Sequence, residues 1–102
     1  MKGRFDYESV NLIGEVRYGL RAIPIIRSAI LKLADALSSN ADQHGFLLLV
    51  DSFISKKRIT EEWLLIQRTI NPVITKRLNV FLKQGERVQG WPGDPDEEMS
   101  AH

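Results

Sequence analysis

The apolar positions of this chain fall into strand-like and helix-like runs, and their order sets the expected architecture. In the middle, Phe46 to Asp51 reads Phe-Leu-Leu-Leu-Val-Asp after the breaker Gly45. An unbroken apolar run of strand length, opened by Gly and closed by Asp-Ser, is the pattern of a strand buried on both faces, because a half-exposed strand would alternate. Such a strand needs covers. The segments on either side of it carry helical apolar spacing, so an α/β layer structure is expected.

Nearer the N-terminus, Val10, Leu12, Val16 and Tyr18 share one face of an alternating stretch, while Asn11, Glu15 and Arg17 share the other. Period-two alternation predicts a strand with one oily side and one wet side. Arg4 to Tyr7 is placed to pair with it as a hairpin, although Glu8 to Asn11 contains no Asn-Gly or Asp-Gly turn signal. After Gly19, Pro24 suits the first turn of a helix, and Ile26, Ala29, Ile30, Leu33, Ala34 and Leu37 follow at three- and four-residue spacing. That helix ends in Ser38-Ser39-Asn40, and a polar connection containing His44 leads to the central strand.

Beyond the central strand, Ser55-Lys56-Lys57-Arg58 reads as a polar loop. Thr60 is the expected cap of a second helix, with Glu61 and Glu62 in its positive first turn and Trp63, Ile66 and Ile70 along one side. Asn71-Pro72 interrupts that helix, and a short second helical turn through Val73 to Lys76 is expected after it. Leu78 to Leu82 alternates and reads as the last strand. The expected order is therefore β-β-α-β-α-β, a small mixed sheet with helices packed on it and right-handed crossovers between parallel strands. Residues 1–89 form the expected single domain. Residues 90–102, where Gly90, Pro92, Gly93 and Pro95 interleave with acid, form an expected disordered acidic tail with Trp91 pinning its start.

Composition narrows the setting. A chain of 102 residues, 43% hydrophobic and 26% charged, is an ordinary single soluble domain. No apolar run approaches the roughly 20 residues that span a bilayer, and the N-terminus lacks a signal pattern. With no cysteine, thiol catalysis and cysteine-ligated zinc are excluded and a cytoplasmic location is expected. All 14 Lys and Arg lie at or before Arg87, against 9 acidic residues there, a net of +5. That balance admits nucleic acid as a partner without marking a dedicated basic binder. A core this small is also expected to form a homodimer that covers an exposed sheet edge or helix surface.

There is no phosphate-cradling glycine loop, nucleophile elbow or metal-binding histidine pair, and His44 and His102 stand alone. What is left is Gly14-Glu15-Val16-Arg17 on a strand, preceded by Asp6 and followed by a helix and a hydrophobic strand. From Arg4 to about Leu82 this order resembles the core of the PD-(D/E)XK, or restriction-endonuclease-like, nucleases. In that family an Asp on one strand and a Glu-x-Lys on the next project into one site.

The resemblance implies Asp6 as the first acid, with Glu8 as its substitute, Glu15 as the second acid and Arg17 in place of the lysine. Asp6 and Glu15 would be the ligands of Mg²⁺ or Mn²⁺, and the basic residue would stabilise the attacked phosphate. Arginine binds phosphate but stays protonated at working pH and cannot accept a proton. Nor does a proline precede the acid, which stands in Phe5-Asp6. The implied function is thus a reduced domain that contacts DNA or another nucleic acid without turnover, with Lys56, Lys57 and Arg58 as further phosphate contacts. Two alternatives stand beside it: a non-catalytic protein-interaction or regulatory module, and a divalent-metal-dependent nuclease. On the plainest reading Glu15 and Arg17 are the wet face of a half-exposed strand, where opposite charges pair across strands.

Overall fold

The computed structural model describes residues 5–91. The elements are β1 (Tyr7–Glu8), β2 (Leu12–Tyr18), α1 (Ile23–Ser38), β3 (His44–Val50), α2 (Lys56–Thr69), α3 (Pro72–Thr75), β4 (Leu78–Gln84) and β5 (Arg87–Trp91). The expected α/β class holds; the short helical turn expected after Asn71-Pro72 is α3, and the order gains a fifth strand. The strands lie in chain order across one sheet, with β2, β3 and β4 parallel and β1 and β5 antiparallel on the flanks.

The central place of β3 follows from its apolar run, but its burial departs from expectation. Gly45, Leu47 and Leu49 are buried, while Phe46, Leu48 and Val50 on the alternate side are half-buried. The crossovers β2-α1-β3 and β3-α2-β4 step the same way across the sheet. Connections of a single hand then put both helices on the same face and leave the other uncovered among the described residues. The core is therefore one layer. Ile13, Leu47, Leu49, Leu78, Val80 and Leu82 of the sheet form a single buried cluster with Ile26, Ile30, Leu33 and Leu37 of α1 and Ile59, Trp63 and Ile66 of α2.

The two sides of β2 are inverted relative to expectation. Ile13, Glu15 and Arg17 face the helices, whereas Leu12, Val16 and Tyr18 lie on the uncovered side, Tyr18 75% exposed.

α1 buries the six residues its spacing singles out: Ile26, Ala29, Ile30, Leu33, Ala34 and Leu37. Its C-terminal end is held by Arg77, whose guanidinium donates to the carbonyls of Leu37, Asn40 and Gln43 at 2.8–3.0 Å. A cation at the negative end of a helix is favourable.

α2 begins one turn earlier than expected. Ser55 is its N-cap, accepting from the Arg58 amide at 3.2 Å, so Lys56, Lys57 and Arg58 are a first helical turn rather than a loop. Thr60 sits inside the helix and donates to the Lys56 carbonyl at 2.8 Å. Of the two glutamates, Glu62 is buried and takes a two-pronged bond from Arg27 of α1, at 2.7 and 3.0 Å. That hydrogen bond, and then the charge of Glu62, raise the Arg27 pKa above its ordinary value against the opposing pull of desolvation.

The strand beyond β4 is a hairpin. Gln84 pairs with Arg87 across Gly85-Glu86, and Gly85 has φ +60°, as the first central residue of a type II′ turn requires. Gly90 and Trp91 thus belong to the sheet and not to a tail. Trp91 is buried, and its indole N–H donates to Thr60 Oγ1 at 2.7 Å. The rest of the expected tail, 92–102, lies outside the described residues. No helix among the described residues is long and apolar enough to cross a membrane.

Candidate functional site

The residues singled out by the nuclease resemblance do come together. β1 pairs with β2 in the register Tyr7↔Gly14 and Glu8↔Ile13, so the hairpin exists and Asp6 lies one step beyond it, level with the second half of β2. There the Asp6 carboxylate takes over from backbone pairing: Oδ2 accepts from the Val16 amide at 2.8 Å and from Arg17 Nη1 at 3.2 Å. Arg17 Nη2 reaches Glu15 Oε1 at 2.6 Å. Glu8, the substitute acid, is exposed opposite Ile13 and takes no part.

One partner was not foreseen. Lys32 of α1 donates to Glu15 Oε2 at 3.3 Å and lies 4.9 Å from the Phe5 ring centroid. In sequence Lys32 occupies an outward position of an amphipathic helix, and only the placement of Glu15 beneath that helix recruits it. Glu15 is 2% exposed, so the wet-face reading of this residue is wrong. It lies on the covered face because the helices pack on that side, and its charge is tolerated because both carboxylate oxygens hold a cation. Arg17 and Lys32 line an open cleft of about 540 Å³ with Pro24, Ile25, Ser28 and Ala29.

These contacts decide what the cluster can hold. Two carboxylates and two cations neutralise one another, both Glu15 oxygens are occupied, and Asp6 Oδ2 already accepts two donors. A divalent cation would have to displace Arg17 and Lys32 to reach the Glu15 oxygens, so Asp6 and Glu15 as arranged offer no shared oxygen site for Mg²⁺ or Mn²⁺.

Lys56, Lys57 and Arg58 are exposed at the other flank of the sheet. Lys56 lines a separate cleft of about 440 Å³ with Gln84, Arg87 and Gln89 of the β4–β5 hairpin. The two expected groups of site residues therefore do not form one surface. His44 opens β3 and is exposed.

The uncovered face of the sheet is the second candidate. Phe46, Leu48 and Val50 run down its middle, flanked by Val16 and Tyr18 on β2 and Phe81 on β4. It is flattened by two close approaches. A Cβ at Gly14 would fall within the Phe46 ring, and one at Gly90 would come within 3.2 Å of the Phe81 ring, so each aromatic lies down over a glycine. Tyr7 adds a ring 6.1 Å from that of Phe46. Val16, Phe46, Leu48, Val50 and Phe81 are half-buried, and no helix among the described residues lies over them.

No family model, curated protein or solved structure matches the chain. The likeness to the nucleases rests on Asp6, Glu15 and Arg17 and on the order of the elements that carry them.

Proposed function

We propose that this domain is a non-catalytic protein-interaction module that works through the uncovered face of its sheet. The observation that carries it is the continuity of Val16, Phe46, Leu48, Val50 and Phe81 across three adjacent parallel strands with no layer over them among the described residues. A parallel sheet ordinarily has both faces covered, and a contiguous apolar patch of several hundred Å² on one domain marks a binding surface. Homodimerisation, expected from the size of the core, is one way of covering it. The test uses a hydrophobic fluorescent dye added to dilute folded protein. The parent should bind it, Leu48→Lys should not, and Leu65→Lys, an exposed position on α2, should bind as the parent does. Equal dye binding by all three would refute the assignment.

A second reading has one specific observation in its favour, the gathering of Asp6, Glu15 and Arg17 with Lys32 beside an open cleft. It makes the domain a reduced restriction-endonuclease-like unit in which Arg17 and Lys32 contact the phosphates of nucleic acid without turnover. Fluorescence anisotropy with a short DNA duplex tests it. Binding should weaken with salt, and Lys32→Ala should reduce both the affinity and the salt slope. Calorimetric titration with Mn²⁺ should be flat in the parent, because the carboxylates are already engaged; measurable binding abolished by Glu15→Gln would return the metal-dependent nuclease to consideration.

A further inference from the structure

We infer that the occupant of the open sheet face is a second copy of this chain, packed face to face about a two-fold axis near Leu48. The inference rests on the docking-face reading and adds the partner. Extent comes first. β2, β3 and β4 are seven residues each, with β1 beside them at one end and β5 at the other, so four strand widths of about 4.8 Å and seven residues of about 3.3 Å make the face roughly 19 by 23 Å. A single helix, about 10–12 Å across with its side chains, covers roughly half that width and leaves the rest in water. Another sheet of the same width covers all of it. Two such faces bury on the order of 900 Å² in flat projection, close to the roughly 1,000 Å² at which specific interfaces begin.

Shape agrees with extent. Because Phe46 and Phe81 lie down over Gly14 and Gly90, the face offers no groove into which helix ridges could fit. Flat pleated faces instead pack on one another at about 10 Å. Charge agrees as well. Among the described residues of β2, β3 and β4, Lys83 is the single charged side chain on this face, and its ammonium turns to the Gly85 carbonyl at 2.7 Å, at the hairpin end and away from the centre. A charged partner finds nothing complementary there, while two copies meet without like charges at the middle. Edge pairing is meanwhile obstructed on the β1 flank. β1 is two residues long, and the outer edge of β2 beyond it is capped by Asp6 and Arg17 on the amide and carbonyl of Val16.

Sedimentation of the full chain from low micromolar to several hundred micromolar is the test. The mass should move from monomer toward dimer across that range, Leu48→Lys should weaken the association by about tenfold or more, and Leu65→Lys should leave it unchanged. Should Leu48→Lys lose its near-ultraviolet circular dichroism, Tyr18→Glu, at a largely exposed position of the same face, serves in its place and should have the same effect. A parent that stays monomeric throughout overturns the self-pairing, and dye binding at dilution then decides separately whether the docking face itself stands. A dimer indifferent to both Leu48→Lys and Tyr18→Glu also overturns it, because the contact must then lie elsewhere.

Discussion

The two faces of this sheet are built from the same strands and nearly the same residue types, yet one is a core and the other is a surface. On the covered side, branched aliphatics at alternate positions interlock with two helices, and even Glu15 is taken in, provided that Arg17 and Lys32 come with it. On the open side, aromatic rings lie flat over glycines and bury one another in part. The difference teaches that an apolar residue in a strand is committed to burial only when a crossover brings a layer over it. What decides the matter here is the direction in which successive parallel strands are laid down.

The sharpest way to break the comparison is to truncate neighbouring leucines of β3. Leu47 is fully buried beneath the helices, so Leu47→Ala should cost about 2–5 kcal/mol. Leu48 points the other way and is half-buried, so Leu48→Ala should cost about 1 kcal/mol, the transfer term for a side chain that water already touches. Urea unfolding of the two variants under dilute conditions measures both. Equal losses would mean that the open face is covered in solution even at dilution.

This pair also locates where sequence reasoning reached its end. α1 was legible down to each of its six buried residues, because 3.6-residue periodicity fixes a single inward stripe. In β2, alternation states which residues share a face and is silent on which face the helices will cover, so Glu15 and Arg17 were placed in water when they lie under α1. The unbroken run of β3 suggested two covers for the same reason: composition records the apolar character of Phe46, Leu48 and Val50 but not their use. Gly85-Glu86 carried a turn signal of the Gly-X type. The acidic, glycine-rich composition that follows masks it, so the hairpin is not read and Gly90 and Trp91, the last two residues of β5, read as the start of a tail. Ser55 as an N-cap was legible in principle, but three cations in a first turn run against the helix dipole and read as loop. Of the candidate site, Asp6, Glu15 and Arg17 were legible as a motif, while Lys32 required the fold.

A second test addresses the charge that the covered face accepts. Glu15→Gln retains shape but leaves Arg17 and Lys32 facing a neutral amide at a site where Glu15 itself is buried. The two cations are partly exposed and keep some hydration, so the loss should be about 1–3 kcal/mol, below that for breaking a pair sealed from water. A wet-face glutamate would lose about 0–1 kcal/mol. Unfolding midpoints of parent and variant separate these ranges.

A third test probes how the open face is flattened. Gly14→Ala places a methyl where the Phe46 ring lies, and the ring that must move to admit it is only half-buried. The expected cost is therefore about 1 kcal/mol, the low end for overpacking. A neutral or stabilising Gly14→Ala would show that the ring does not rest on the glycine in solution.

The smallest expected effect belongs to Asp6, which stands where β1 stops and the two faces meet at an edge. Its carboxylate does two things, accepting the Val16 amide and pairing with Arg17, and it is half exposed. Asp6→Asn keeps an oxygen for the amide and gives up only a solvent-screened charge pair, so it should cost about 0–1 kcal/mol. Asp6→Ala also leaves an edge amide without its acceptor, although water can reach it, and should cost about 0.5–1.5 kcal/mol. The ordering of the two variants is the informative quantity. If Asp6→Asn were as damaging as Glu15→Gln, the acid would be serving the buried charge cluster rather than the strand edge, and the boundary between covered and open faces would lie one residue further out than the hydrogen bonds place it.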